Sequence, residues 1–499
     1  MTLNFDRVGS DWAAALLKAG CALSVCLLAA CTQPASAGRR ELSPSVPAPA
    51  QMTVGVGIKT DHKAYAKPPL PALPAAGGKY VDPVFGTTIM RVTDERDGRA
   101  PGLGTYYPHW PTFNADDTML LIRKGSSGDA IVKRFDPERF ELVGGTEVLP
   151  LSIPGSSAAP MWESAVWSHD DPNVIYTFSN YYTGGMKLYA YRVREHRFVL
   201  LKDFAALGTP RDWLYQMSVS ADDDVFAFSQ RRVGTDEPVY YIAWRRSDDR
   251  VLAHNETGGK VDEVRIDKGG RYLAVGANTP PTPNGLRGQY LDLSNGSSQA
   301  THWNETERPS GHGDLGTGFV AGFDGWADGV GVRSLADPRR PRTVFRFTDE
   351  AGRPDWTEEI HGSLLADNEG WLTVGTFDQL ASTLPDYHVF EDEIFQVALD
   401  GSGRVRRICH TRSRVTNADE SSGYFAAPKP TVSRDGRFIA YTSNWEASGR
   451  TDLFVVKVEP APPVSMSWLT TGGGSPPRAT PSAAGEGARS RPRRVRGKP

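Results

Sequence analysis

One turn recurs along this 499-residue chain, and it limits what the chain can fold into. Its cleanest copy lies in 430–458, PTVSRDGRFIAYTSNWEASGRTDLFVVKV. A short strand at 430–432 leads into Ser433-Arg434-Asp435-Gly436. A β-branched and aromatic strand follows at 438–442, then a loop of Gly, Ser and Asn, then a third strand at 453–458. Asp-Gly between two apolar runs is the strongest short hairpin signal. The turn returns around Asp116, Asp170, Asp222, Asp267 and Asp367, and Asp435 ends the series. The first steps are 45 to 54 residues long; the step from Asp267 to Asp367 spans two periods. The skipped unit is placed at 312–347, around Gly322-Phe323-Asp324-Gly325.

An apolar strand follows each turn, as at 119–122, 174–178, 225–228, 272–275 and 371–374, and a further strand follows most of these. Units of 40 to 50 residues with four strands each are propeller blades, arranged radially so that only short edges remain. The expected fold is therefore all-β: a seven-bladed β-propeller of four-stranded antiparallel blades over 79–470. The segment 88–93 reads as an outermost strand with no blade before it, able to complete the blade begun at Pro430. The segment 466–469 competes for that place.

Outside the blades the composition changes. A short apolar run at 19–30 follows Arg7 and Lys18. It is too short for a comfortable membrane span and suits a signal-peptide core. Residues 1–30 are thus expected to be a signal peptide. Leu28-Ala29-Ala30-Cys31 resembles the lipobox of bacterial lipoproteins, which implies lipidation at Cys31, an anchor in a membrane and a place at the cell envelope, periplasmic or outer. Residues 31–78 are rich in Pro and Ala and read as an extended tether. Residues 471–499 are Gly/Pro-rich, then basic, and read as a disordered, solvated tail. The net charge is −3, which gives the folded part no reason to bind nucleic acid. Cys409 is the one cysteine beyond residue 31, so no disulfide is expected within the blades.

The closing unit resembles the TolB-type, WD40-like repeat of bacterial envelope propellers. The order of Asp82-Pro83-Val84-Phe85-Gly86, the 106–117 unit, Ser310-Gly311-His312, Ile360-His361-Gly362-Ser363 and the 424–436 segment is similar to oligogalacturonate lyase-like propellers. That resemblance implies cleavage of uronate oligosaccharides by β-elimination, with a divalent metal held by His and Gln at the axis.

The innermost strand of a propeller blade lines the central channel. Counting six or seven residues back from the turn Asp gives His109, Glu163, Gln216, His361 and Lys429, with Glu263 closer to its turn and His312 by analogy. A ring of polar groups at one channel mouth is a ligand site in waiting, because the blades converge there. His312 and His361 are the best metal pair, with Glu163, Gln216 or Glu359 as further donors. The chain departs from the lyase pattern at Ala426-Ala427-Pro428-Lys429-Pro430: an ammonium there repels a cation. Elimination on a uronate also needs a group to neutralise the carboxylate and a base. Arg232 or Arg412 are candidates for those tasks, and Tyr424 is the candidate proton donor. There is no Gly-x-Ser-x-Gly elbow, phosphate loop, His-Glu-x-x-His or Cys-x-x-Cys. Two readings follow: a propeller that binds an acidic glycan or a partner protein at its axial face, or a polysaccharide lyase.

Overall fold

The computed structural model describes residues 58–469 apart from loop segments, the longest being 278–287, 303–310 and 379–387. The signal peptide, Cys31, most of the tether and the basic tail lie outside the described residues. Seven antiparallel sheets follow one another along the chain. Blades 1 to 6 are 103–148, 160–203, 212–256, 261–302, 311–346 and 358–410, each of four strands in sequence order. Blade 7 takes its three inner strands, Thr431–Val432, Phe438–Ser443 and Asp452–Lys457, from one end of the chain. Its fourth, Thr88–Arg91, comes from the other end, with Ile89 paired to Val456 and Arg91 to Phe454. A fifth strand, Lys79–Val81, lies outside it. The segment at 88–93 therefore closes the ring. The competing 466–469 contains a 3₁₀ turn, Ser467–Leu469, whose Trp468 packs on blades 5 and 6.

The repeating turn works through its first residue. Ser433 Oγ accepts the Phe438 N–H at 3.0 Å, as Ser220 accepts Val225, Asn114 accepts Met119 and Asp267 accepts Tyr272, each five residues on. The fourth position has positive φ in Asp117 (59°), Asp223 (55°), Gly270 (67°) and Gly436 (74°). Gly and Asp are among the few residues that enter this region at small cost. Blade 5 corrects one expectation. Its inner turn is Gly316-Thr317-Gly318, and 322–324 lies within the second strand, Phe319–Asp324. No Ser, Asn or Asp stands at the first position of that turn, so the repeat signal is lost there.

The core is not one mass but a set of apolar seams. Separate clusters join blades 1–2, 2–3, 3–4, 4–5, 5–6, 6–7 and 7–1. Alternation along each strand feeds both seams that flank its blade, which is how a two-faced sheet buries both faces. The Pro-rich segment also differs from a free tether. From residue 58 it is laid along blades 5 to 7. The carbonyls of Pro68, Pro71 and Pro74 accept from Arg412 Nη1 (2.8 Å), Trp445 Nε1 (3.0 Å) and Arg91 Nη1 (2.7 Å). Polyproline II repeats every three residues and leaves its carbonyls unpaired, so one face of the segment offers an acceptor at each turn.

Candidate functional site

The first strand of each blade faces the axis, and most of these strands are interrupted. Register shifts interrupt the pairing of the first two strands between Met161 and Val166, Tyr215 and Ser218, Val261 and Val264, and Gly311 and Asp314. Ser164, Gln216 and His312 have positive φ at 63°, 55° and 49°. Bulges re-aim side chains and concentrate beside functional sites. Here they fall at the residues that sequence counting picks: Glu163, Gln216, Glu263 and His312 lie at the bulges, while His361 lies on the regular strand Glu358–Ser363. His109 and Lys429 stand on the connections that enter the channel.

Two arcs result. On one, His109 Nε2 is 4.0 Å from Glu263 and its ring lies 5.0 Å from that of Tyr107. Arg265, its side chain 11% exposed, pairs with Glu263 at 3.1 Å and Asp314 at 3.8 Å and donates to the Gly313 carbonyl at 2.9 Å. Tyr107 meets His361 edge-on at 5.3 Å. His361 is stacked between His312 (4.9 Å, 19°) and Phe377 (5.1 Å, 17°). Burial, helped by Arg265, holds His109 well below the usual imidazole range. Burial, then His312, Lys429 and His109, does the same for His361, so both rings are neutral at physiological pH.

On the other arc, Tyr215 donates to Glu163 at 2.8 Å, and Arg231 donates to Gln216 Oε1 at 3.2 Å while lying 4.5 Å from the Tyr215 ring centroid. Lys429 is 2% exposed. Its Nζ donates to the Tyr424 carbonyl and lies 3.7 Å from the centroid of the Tyr424 ring. Arg123 lies 4.2 Å from the Phe425 ring centroid. The arcs meet where Lys429 faces His361. Below them the channel is crossed: Lys268 donates to the Ala366 carbonyl at 2.7 Å, and Arg434 to the His169 carbonyl.

Two candidates stand apart from this group. Arg412 is buried at the blade 6–7 junction, bonded to Pro68 and to Glu446 at 2.9 Å. Arg232 is held by Asp212 at 3.2 Å, at the start of its blade's first strand. Sequence counting misses Arg231, Arg265, Tyr215 and Arg123. Arg123 and Arg231 sit on second strands and Arg265 beside a bulge, positions for which the repeat carries no signal.

The residues do not fit a metal. Among the described residues no three His, Cys, Asp or Glu groups converge to hold an ion. His312 and His361 present ring faces to each other, whereas ligation needs nitrogen lone pairs aimed at one point. Glu163 and Gln216 are engaged by Tyr215 and Arg231.

Neither a protein-family model nor a curated protein matches the sequence. The fold does have solved neighbours. It is similar to an oligogalacturonate lyase from Vibrio parahaemolyticus with a TM-score of 0.54 and 10% identity, over 77% of this chain and 96% of that one. It is also similar to an oligogalacturonate lyase in complex with manganese, with a TM-score of 0.51 and 12% identity, over 78% of this chain and 97% of that one. At such identity the likeness is one of fold.

Proposed function

We propose that this propeller binds an acidic oligosaccharide at its axial face, and that a lipidated Cys31 holds it at a cell envelope. The observation that carries the reading is Lys429. It is a buried amine at the convergence of the blades, and no carboxylate among the described residues is bonded to it. The Tyr424 ring lies against it, Tyr107 meets its neighbour His361, and the Arg231 guanidinium lies on the Tyr215 ring on the other arc. Flat apolar faces suit sugar rings, and guanidinium and ammonium groups suit uronate carboxylates. Titration with trigalacturonate by calorimetry tests this. Arg231→Ala is expected to weaken binding roughly tenfold, the cost of about one charge-assisted hydrogen bond. Equal affinity for a neutral trisaccharide would sink the acidic-glycan reading.

A second reading, β-elimination, is supported by the neutral imidazole of His361 beside Lys429 and by the shared fold of the lyases. A neutral His361 or Lys429 would remove the proton α to the uronate carboxylate. Arg231, in place of Arg232 or Arg412, would neutralise that carboxylate, and Tyr424 would protonate the leaving oxygen. Growth of the unsaturated-uronate absorbance during incubation with pectic or ulvan-type oligomers is the check; a flat trace over a broad panel rejects this second reading and leaves the first.

A further inference from the structure

The seam between blades 7 and 1 holds two basic side chains packed on aromatic rings. Lys429 rests on the Tyr424 carbonyl and ring, and Arg123 rests on the Phe425 ring and on the Thr105 carbonyl at 3.4 Å. Both rings come from one short turn, Tyr424–Ala426. For Lys429, a carbonyl and an aromatic face give partial support without supplying a counter-charge. Next to the pair, His361 is 2% exposed and its Nδ1 is buried with no hydrogen-bond partner among the described residues. Buried polar atoms are nearly always satisfied, so an orphan of this kind points to a ligand group. A buried amine with no carboxylate bonded to it among the described residues thus lies beside an imidazole nitrogen with no hydrogen-bond partner among them.

We propose that Lys429 forms a metal-free carboxylate subsite, in which the lysine takes the part a divalent cation would play and His361 Nδ1 meets a hydroxyl beside the carboxylate. A uronate ring carries that pair of groups on adjacent carbons. The inference rests on the acidic-glycan reading above and names the chain's own means of reading the acid. Among the described residues, the charged and titratable groups around Lys429 are Arg123 from blade 1, His361 from blade 6 and Tyr424 on its own turn. With those neighbours and full burial, Lys429 titrates well below an ordinary lysine, burial first and Arg123 second. An arriving carboxylate favours the charged form, so the ligand brings a proton with it.

The test is calorimetry of trigalacturonate at pH 7.5 in phosphate and in Tris, with a chelator throughout. The heats should differ in the sense of net proton uptake on binding, as linkage requires. Lys429→Met should abolish that difference and weaken binding at least roughly tenfold, whereas Lys429→Arg, permanently charged, should bind without proton uptake. Unchanged affinity or unchanged proton uptake in Lys429→Met overturns the subsite, as does binding that appears only when manganese replaces the chelator. If trigalacturonate does not bind at all, the acidic-glycan reading falls, and melting temperatures decide the subsite. The margin by which Lys429→Met out-melts the wild type should shrink as pH rises from 6 to 10. A margin independent of pH overturns the proposal without any ligand.

Discussion

Glu393→Ala is expected to cost about 3–5 kcal/mol of stability, the loss typical when one partner of a buried ion pair is removed. Glu393 and Arg407 are both fully buried in the two outer strands of blade 6. Arg407 Nε donates to Glu393 Oε2 at 2.8 Å and Nη2 to Oε1. The same guanidinium reaches outward: Nη1 donates to the Lys63 carbonyl and lies 3.4 Å from Asp61 Oδ1, and the Tyr65 and Phe390 rings flank it at 4.7 and 4.8 Å. The Arg407 N–H also pairs with the Lys59 carbonyl at 2.9 Å. One side chain thus joins the blade to the N-terminal segment. Without Glu393 its charge stays buried and half-paired. The variant should lose urea midpoint and become open to trypsin at Lys59 and Lys63. A Glu393→Met, Arg407→Met double variant should recover part of the loss, because apolar residues of like volume can replace such a pair. An unchanged urea midpoint in Glu393→Ala would contradict the account.

How much of this was legible beforehand depends on what each feature asks of the sequence. The hairpin turn asks for one side-chain acceptor and one position tolerant of positive φ, and both are local. That is why blades announced by Asn114, Ser220, Asp267 or Ser433 can be counted, and why blade 5, turning on Gly318, is found only by its gap. The axial ring was legible at second hand. Once the turn is fixed, the distance back to the channel mouth is set by strand geometry, bulge included. Arg231 and Arg123 were not legible, because they sit on second strands, where the repeat carries no signal. The N-terminal segment was half legible. Its prolines imply an extended backbone, but nothing local says that Arg412, Trp445 and Arg91 need its carbonyls. The stacking of His312 on His361 was out of reach altogether, since it depends on the packing of blades 5 and 6. The two rings stack at 4.9 Å, and that orientation is what argues against a metal.

The closing hairpin carries the last expected result. Asp435, in its turn, faces Asp117 of blade 1 across the 7–1 seam, and the two carboxyls share a hydrogen bond. Burial and the neighbouring charge of Asp435 push Asp117 up to about 8, while the Arg437 N–H and side chain, Ser433 and Asp117 together hold Asp435 below the usual carboxylate range. At neutral pH Asp117 keeps its proton and donates it. An unfolded aspartate titrates near about 4, so the folded form binds this proton more tightly. Its contribution is complete below about pH 4 and is lost as pH climbs toward 8, where two carboxylates come to face each other. Asp435 has the opposite sign: its contribution fades as pH falls below the ordinary carboxylate range. Asp117→Asn supplies a permanent amide donor, and Asn accepts the φ of 59° that Ala would resist. The variant should therefore gain on the wild type by roughly 2–4 kcal/mol at pH 9, less than the full shift at 1.36 kcal/mol per unit would give, and little at pH 5. Urea midpoints of both proteins from pH 5 to 9 measure this. Parallel pH profiles would mean that the shared proton does not help to close the ring; convergence at low pH would make this seam the one whose strength the medium sets.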